Sequence, residues 1–495
     1  MNTSIAINVR TITGLEECLV AELRELGASE IQARNRLVTS IGDLSLLYRA
    51  NLWCRTAIRV LRPIANFPAS NENEFYKGIQ QINWSQWLSD KGTLAVDANV
   101  HSSFVTHSLF IAQLTKDAIV DQFRDASGHR PSVDLDDPML RIAVNIFQNN
   151  VEISLDASGQ SLHKRGYRKR TGEAPLSETL AAGILKTASW DGSISLIDPM
   201  AGSGTFCIEA ALIQRNIAPG LIRQRFGFQQ WPDFDSGLYE RLVKEAKAAI
   251  SDLRTAPILG FDKDPEVVQI ARDNVRQAGV DKWVTIEQGD FFEWSELPPN
   301  PGMLVMNPPY DERISLEDVA DFYQRIGDRL KHHYGGWTAQ VLTGNLEAAK
   351  FIGLKSSSRE VLYNGPIECR LLKFDIRAAS KEAKGPGWRN KLHENAEWQE
   401  KSLIFANRLK KNFKHGSKKA VREGLREWRV YDWDIPELPF VLDIVEGGLV
   451  FFEIERNHNR TLVEHKHYMD LMVKTAGSVL GIVPERIRFK KSKRN

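Results

Sequence analysis

Between residues 175 and 378 short apolar runs alternate with stretches of helical period. "SISLIDPMAGSGT" reads as a strand that runs into a glycine turn, and "FCIEAALIQRN" as the helix after it. "ILGFDKD", "WVTIEQGD", "MLVMNPPY" and "WTAQVLTG" read as further strands. "PEVVQIARDNVRQAGV" and "DVADFYQRIGDRLKHH" read as helices, the first with Pro265 in its opening turn. This alternation predicts a parallel, doubly wound α/β sheet. The stretch "FGFQQWPDFDSGLYERLVKEAKAAI" is longer than one crossover needs, so an extra loop and helix are expected there.

The flanking segments have different patterns. "GLEECLVAELRELGA" places Leu15, Cys18, Leu19, Leu23 and Leu26 on one helical face and stops at Gly27. "EIQARNRLVTSIG" then reads as strands, so a small α+β unit is expected over 1–60. "GTLAVDANV" alternates like a half-buried strand, and "SLFIAQLTKDAIVDQFRDASG" is an amphipathic helix closed by Gly128. "LRIAVNIFQNNVEISLDAS" reads as two strands joined at "QNN". These elements fall in a second α+β unit, 61–165, with the α/β domain following at 166–378. The polar "RAASKEAKGPGWRNK" marks a linker, placed at 379–394. A basic helix and the hairpin pattern "FVLDIVEGGLVFFEIE" predict a further small α+β unit over 395–495.

At 495 residues the chain is too long for one ordinary domain. Its 42% hydrophobic and 26% charged content is that of a globular protein in water. No apolar run is long enough to span a bilayer, and the N-terminus lacks signal-peptide anatomy, so no membrane partner and a cytoplasmic location are expected. The four cysteines are scattered, which predicts neither a disulfide framework nor a metal site. The net charge of +2 conceals basic clusters. "HKRGYRKR" contributes Lys164, Arg165, Arg168, Lys169 and Arg170 without an acid, and Arg408 to Arg429 holds nine Lys/Arg against two Glu. Basic clusters with interleaved aromatics suit a polyanion such as RNA.

The strand ends carry the candidate chemistry. Asp198 closes a strand, and Gly202 and Gly204 permit a tight turn with close backbone approach by a ligand. Asp262 ends the next strand, where a carboxylate can accept from a ribose diol, while Asp264 before Pro265 suits a helix cap. Asp290 could accept from an adenine amino group, with Phe291 against the ring; an ordinary Asp turn is the plainer reading of that stretch alone. In "NPPY", Asn307 Oδ1 and the Pro308 carbonyl can accept the two N–H bonds of a base's exocyclic amine. Pro308 and Pro309 fix the backbone and remove competing donors, and Tyr310 can stack on a flipped base.

"DPMAGSGT", "GFDKD", "QGD" and "NPPYDERI", in this order, resemble S-adenosylmethionine-dependent amino methyltransferases. With "LHKRGYRKRTGEAPLSETLAAGIL" upstream, residues 1 to about 378 resemble the THUMP-domain 23S rRNA guanine-N2 methyltransferases of RlmL type. The resemblance implies a Rossmann-like seven-stranded catalytic domain behind ferredoxin-like and THUMP units. It implies S-adenosylmethionine as cofactor, lined by Asp198, Gly202, Gly204, Thr205, Asp262 and Asp290. The segment 174–179, with Glu178, would close over the cofactor's methionine end, and Asn307 to Tyr310 would hold the target guanine. The implied partner is 23S rRNA or a large-subunit precursor.

The C-terminal segment, through "FANRLKKN" and "VLGIVPERIRFKKSKR", is similar to the start of the RlmK half fused to RlmL in some bacteria. No second glycine turn or second NPPY-like motif follows, so one active site is expected, with a separate RlmK-like half as a candidate partner. Two rival readings remain at this level. NPPY also serves adenine-N6 methylation of DNA or RNA, and a non-catalytic RNA-binding assembly factor could keep a similar fold.

Overall fold

The structure, a computed structural model, describes residues 4–168, 176–253, 255–309, 316–378, 396–454, 460, 462–483 and 486–492. The chain divides into two compact units, Met1–Ala379 and Ser380–Asn495. The linker expected at 379–394 lies outside the described residues.

The first unit holds two sheets. The N-terminal sheet contains β1 (Ile5–Thr11), β2 (Ser29–Arg34), β3 (Leu37–Gly42), β4 (Ala57–Pro68), β5 (Thr93–His101), β6 (Ser132–Val133), β7 (Leu140–Phe147) and β8 (Asn150–Asp156). Their order is β2-β3-β1-β4-β8-β7-β5-β6. β4 pairs antiparallel with β1 on one side and with β8 on the other. The boundary expected after residue 60 therefore falls inside a strand shared by both N-terminal units. The helices at Glu16–Glu25 and Ser108–Ser127 end near Gly27 and Gly128, both at positive φ, as their patterns predict.

The second sheet contains β9 (Leu196–Asp198), β10 (Ile258–Asp262), β11 (Val284–Gln288), β12 (Met303–Met306), β13 (Thr338–Thr343), β14 (Ser358–Asn364) and β15 (Ile367–Asp375). The order is β11-β10-β9-β12-β13-β15-β14. The five strands from β11 to β13 are parallel. β14 and β15 form an antiparallel hairpin at the edge, which the expectation of a parallel sheet did not include. The chain moves outward from β9 in opposite directions, so the crevice between β9 and β12 is the topological switch point where such sheets bind ligands.

The extra segment between β9 and β10 packs on the other sheet. Its Phe226, Phe228, Trp231 and Leu242 join the core of the N-terminal domains. Phe228 stacks on Tyr48 with ring centroids 4.3 Å apart. The insertion thus fastens the second sheet to the N-terminal one.

A buried charge cluster makes a second fastening. Arg165 is 2% exposed and donates to the carbonyls of Leu162 and Arg55. Its Nε lies 3.4 Å from Glu209 Oε1, on the helix Thr205–Gln214. Tyr167 donates to the same oxygen, and Arg55 donates to the carbonyls of Leu212 and Ile217. This corrects the assignment of Arg165 to RNA: a guanidinium sealed against a carboxylate has no face for a phosphate.

In the second unit, β16 (Glu427–Asp432), β17 (Phe440–Val445), β18 (Gly448–Ile454) and β19 (Ile487–Ser492) form one sheet in that order. The hairpin read in "FVLDIVEGGLVFFEIE" is β17–β18. The helices Ala396–Glu423 and Leu462–Leu480 supply Phe405, Leu409, Tyr468 and Met472 to its core. No helix among the described residues is long and apolar enough to cross a membrane.

Removing one partner of a buried ion pair strands the other charge. Arg165→Ala is therefore expected to destabilise the protein by about 3–5 kcal/mol, read by urea unfolding. Unchanged stability with weakened RNA binding would restore Arg165 to the RNA surface.

Candidate active site

The carboxyl ends of β9, β10, β11 and β12 converge on one pocket of about 410 Å³. Asp262, Lys263, Gly289, Asp290, Phe291, Asn307 and Pro309 line it. A volume of this order suits a small-molecule site, for which about 300–1,000 Å³ is usual. Residues from four separate motifs meet here because parallel strands end on the same edge of the sheet.

Asp198 ends β9 and is 1% exposed. Its Oδ1 accepts from Met200 N at 3.2 Å. Burial pushes its carboxyl up to about 8, and the neighbouring Asp262 adds to the rise. Gly202 (φ +53°) and Gly204 (φ +82°) sit in the left-handed region, where a side chain would be strained. A Cβ on Gly204 would also press to 3.3 Å from Ala271 Cβ. Gly204 caps the helix that begins at the buried Thr205.

Asp262 braces this turn. Its Oδ2 accepts from Gly202 N at 3.0 Å and its Oδ1 from Asp264 N at 3.1 Å. Each oxygen keeps a further acceptor site, so the bracing does not exhaust the carboxylate. Asp264 caps the next helix through Glu266 N and Val267 N, the cap role read from the sequence. Asp290 Oδ1 accepts from Phe292 N, so this residue forms an Asp turn and lines the pocket as well.

β12 is buried along all four residues, Met303 to Met306. The polar side chain that follows, Asn307, has an Oδ1 shielded from solvent and without a hydrogen-bond partner among the described residues. An orphaned buried acceptor costs about 1–3 kcal/mol. An acceptor in this position can take a hydrogen bond from a bound donor. Pro308 behind it is buried, while Pro309 is exposed. Tyr310 lies outside the described residues.

The other assignments diverge. Glu178 is buried at the start of the helix Glu178–Thr187, 3.4 Å from Arg168 Nε. Arg168 also donates to Leu176 O and to Thr205 Oγ1 at 2.9 Å. Its guanidinium is engaged by Glu178, Leu176 O and Thr205 Oγ1 beside the glycine turn, which corrects its reading as an RNA contact to that of a paired residue at a cleft wall. Lys164 is exposed and lines a cleft of about 920 Å³, apart from the first pocket, with Arg36, His163, Arg168 and Glu178. Burial and surrounding cations lower His163 to about 4, so it is neutral at pH 7. Lys169 and Arg170 lie outside the described residues, as do the first two residues of the 174–179 segment.

An aromatic wall was missed. Phe322 and Arg325, on the helix Leu316–His333, line the pocket beside Phe292. The Phe292 and Phe322 rings meet edge to face at 5.5 Å, and the Arg325 guanidinium lies 4.0 Å over Phe292. The spacing of Phe322 and Arg325, three apart on the helix after NPPY, was the available signal.

Comparison with known proteins matches this arrangement domain by domain. Residues 165–373 match the methyltransferase domain described as RMKL-like, residues 69–156 the THUMP domain, and residues 7–61 the RlmL ferredoxin-like domain. A Synechocystis sp. protein named "Putative RNA methyltransferase slr0064" is 44% identical over 367 residues, 73% of this chain and 94% of that one. The chain belongs to the RMKL-like methyltransferase family. The ribosomal RNA large subunit methyltransferase K/L of Methylococcus capsulatus is 40% identical over 463 residues, covering 89% of this chain. That alignment is longer than the first unit and so reaches into the second. The chain spans 62% of the length of that relative and 61% of the next. Among solved structures, "SMU.472, a putative methyltransferase complexed with SAH" superposes with a TM-score of 0.69 at 30% identity, covering 77% of this chain and all of that one.

Asp198 supplies a test of the pocket's electrostatics. A carboxyl raised from about 3.9 to about 8 holds its proton in the folded protein and loses it on unfolding. Its stability contribution is full below the unfolded value and is lost as pH rises through about 8. Asp198→Asn removes this dependence. The melting temperature of the wild type should fall more steeply between pH 6 and about 8.5 than that of the variant. Parallel curves would contradict the assignment.

Proposed function

We propose that this protein transfers a methyl group from S-adenosylmethionine to the exocyclic N2 of a guanine in the 23S RNA of the large ribosomal subunit. The observation that carries the reading is the unpartnered Asn307 Oδ1 at the edge of the pocket that Asp262 and Asp290 line. The relatives named ribosomal RNA large subunit methyltransferase K/L and the neighbour complexed with SAH support it. The expected place of action is the bacterial cytoplasm, where the ribosome is assembled.

The residues present fit the cofactor. Asp262 would accept from its ribose hydroxyls, the turn through Gly202 and Gly204 would admit its backbone-facing edge, and Asp290 would accept from its adenine amino group. Phe291 offers apolar surface at the same end. When bound, S-adenosylmethionine supplies a methyl group already activated on a sulfonium.

The protein's own contribution is position. A guanine amine is a weak nucleophile because its lone pair is delocalised into the ring. Asn307 Oδ1 would accept one of its N–H bonds, and the Pro308 carbonyl the other. Two acceptors restore lone-pair density on nitrogen and hold the base in one plane. Neither proline offers a backbone N–H that could compete for the carbonyls. Phe322 and Phe292 form an apolar wall for a base turned out of its helix, a step that costs a few kcal/mol of unstacking. The rate gain then comes from alignment of amine and methyl within a pre-formed site.

The second unit resembles the beginning of an RlmK-like half, and the K/L alignment that reaches into it supports that kinship. A separate RlmK-like methyltransferase is accordingly a proposed partner.

Asn307→Ala separates binding from chemistry. S-adenosylhomocysteine affinity, measured by calorimetry, should stay within about threefold, while methyl transfer to unmodified 23S rRNA falls by at least about 100-fold. Transfer at the wild-type rate would sink the role given to the amide.

A further inference from the structure

The second unit carries a surface that the catalytic site does not use. Its helix Ala396–Glu423 is 28 residues long, about 42 Å at 1.5 Å per residue. One face is fixed to the sheet. Trp398, Phe405, Leu409 and Ala420 are buried, and Phe413 stacks on Trp428 at 5.8 Å. Gly416 lets the helix close on the Trp428 ring, which a Cβ would strike at 2.2 Å. Asn412 Nδ2 donates to Val430 O, tying the same face to β16.

The opposite face is cationic along its middle, between exposed Leu403 and Ile404 towards one end and Val421 at the other. Lys410, Lys411, Lys414, Lys418 and Lys419 are all exposed, and none is in an ion pair among the described residues. Between Glu400 and Glu423 the helix sequence holds no acid. Lys410, Lys414 and Lys418 stand four residues apart, so each successive ammonium advances about 6 Å along the axis. Like charges at this spacing oppose helix formation, and a merely solvated face gains more from alternating signs. The aromatic residues of the helix point into the sheet, so the cationic face has no platform on which unpaired bases could stack.

We propose that this face is a second RNA contact, which grips the phosphodiester backbone of duplex RNA without reading its sequence. The inference rests on the reading of the protein as an RNA-modifying enzyme, and it assigns the duplex-binding role to the second unit. A row of lysines on one helix face neutralises phosphates and releases counterions, and such binding weakens predictably with salt. Such contacts add affinity without reading sequence, so specificity stays with the target base.

The test uses the full chain with Lys410→Gln, Lys414→Gln and Lys418→Gln combined. Gln matches Lys in helix propensity, so the fold should be retained. The probe is a fluorescently labelled RNA duplex of arbitrary sequence, titrated at several salt concentrations. The wild type should bind, and the triple variant should bind about tenfold or more weakly at low salt, with the salt slope reduced by about two to three. The matched triple Lys→Arg variant should bind like the wild type, and both variants should keep the wild-type melting temperature. An unchanged slope in the Gln variant, or a wild type that does not bind the duplex, would overturn the inference. Failure of the enzymatic reading has a different signature: no methyl transfer to 23S rRNA by a wild type that still binds the duplex.

Discussion

The buried contact between Arg165 and Glu209 sets the relation between the two halves of the first unit. Glu209 sits one turn into the helix that starts at Thr205, directly after the glycine turn. Arg165 sits in the connector that leaves the N-terminal sheet after β8. Through this pair, and through Arg55 on the carbonyls of Leu212 and Ile217, the N-terminal domains hold the helix that follows the glycine turn. Two guanidinium groups and one carboxylate out of water are tolerable only with several hydrogen bonds in place. The carbonyls of Leu162, Arg55, Leu212 and Ile217 provide them. The aromatic insertion at Phe226–Trp231 adds an apolar clamp on the same seam. The proposed reaction, in which a base is presented to a fixed methyl donor, would draw on such rigidity between the two sheets.

At the switch point, geometry and charge act together. Asp198 is held nearly dry at the end of β9, with its acidity suppressed. Asp262, half-buried beside it, braces the turn through Gly202 and keeps acceptor capacity toward the pocket. Asn307 is the counterpart across the crevice, a buried strand's first polar residue with its acceptor unused. The pocket therefore offers acceptors in several directions and an aromatic wall on one side. The proposed ligands, aminated heterocycles with N–H donors, match such a set.

Much of this was legible in the sequence, and the misses have physical causes. The strands ending in Asp198, Asp262 and Asn307 announced themselves because each is an apolar run stopped by a polar residue, and parallel topology brings such stops to one edge. Asp264 as a cap was equally readable, since Asp before Pro at a helix start has little else to do. Arg165 and Arg168 were misjudged because a run of basic residues looks alike whether it faces solvent or carboxylates supplied by distant segments. Glu209 is 44 residues away from Arg165, and no local pattern announces it. The clamp formed by the insertion was invisible for a similar reason: Phe228 finds Tyr48 across 180 residues of chain. The antiparallel β14–β15 hairpin escaped because alternating strand–helix order upstream gives no hint that the edge will reverse. The shared strand β4 shows that a domain boundary need not break a hydrogen-bonded ladder.

The central claim is that a guanine amine, held by Asn307, receives the methyl group. It is tested most directly by incubating the protein with unmodified 23S rRNA and isotopically labelled S-adenosylmethionine, then identifying the labelled nucleoside by mass spectrometry. The account predicts N2-methylguanosine as the product. N6-methyladenosine, or no transfer while the cofactor remains bound, would contradict it.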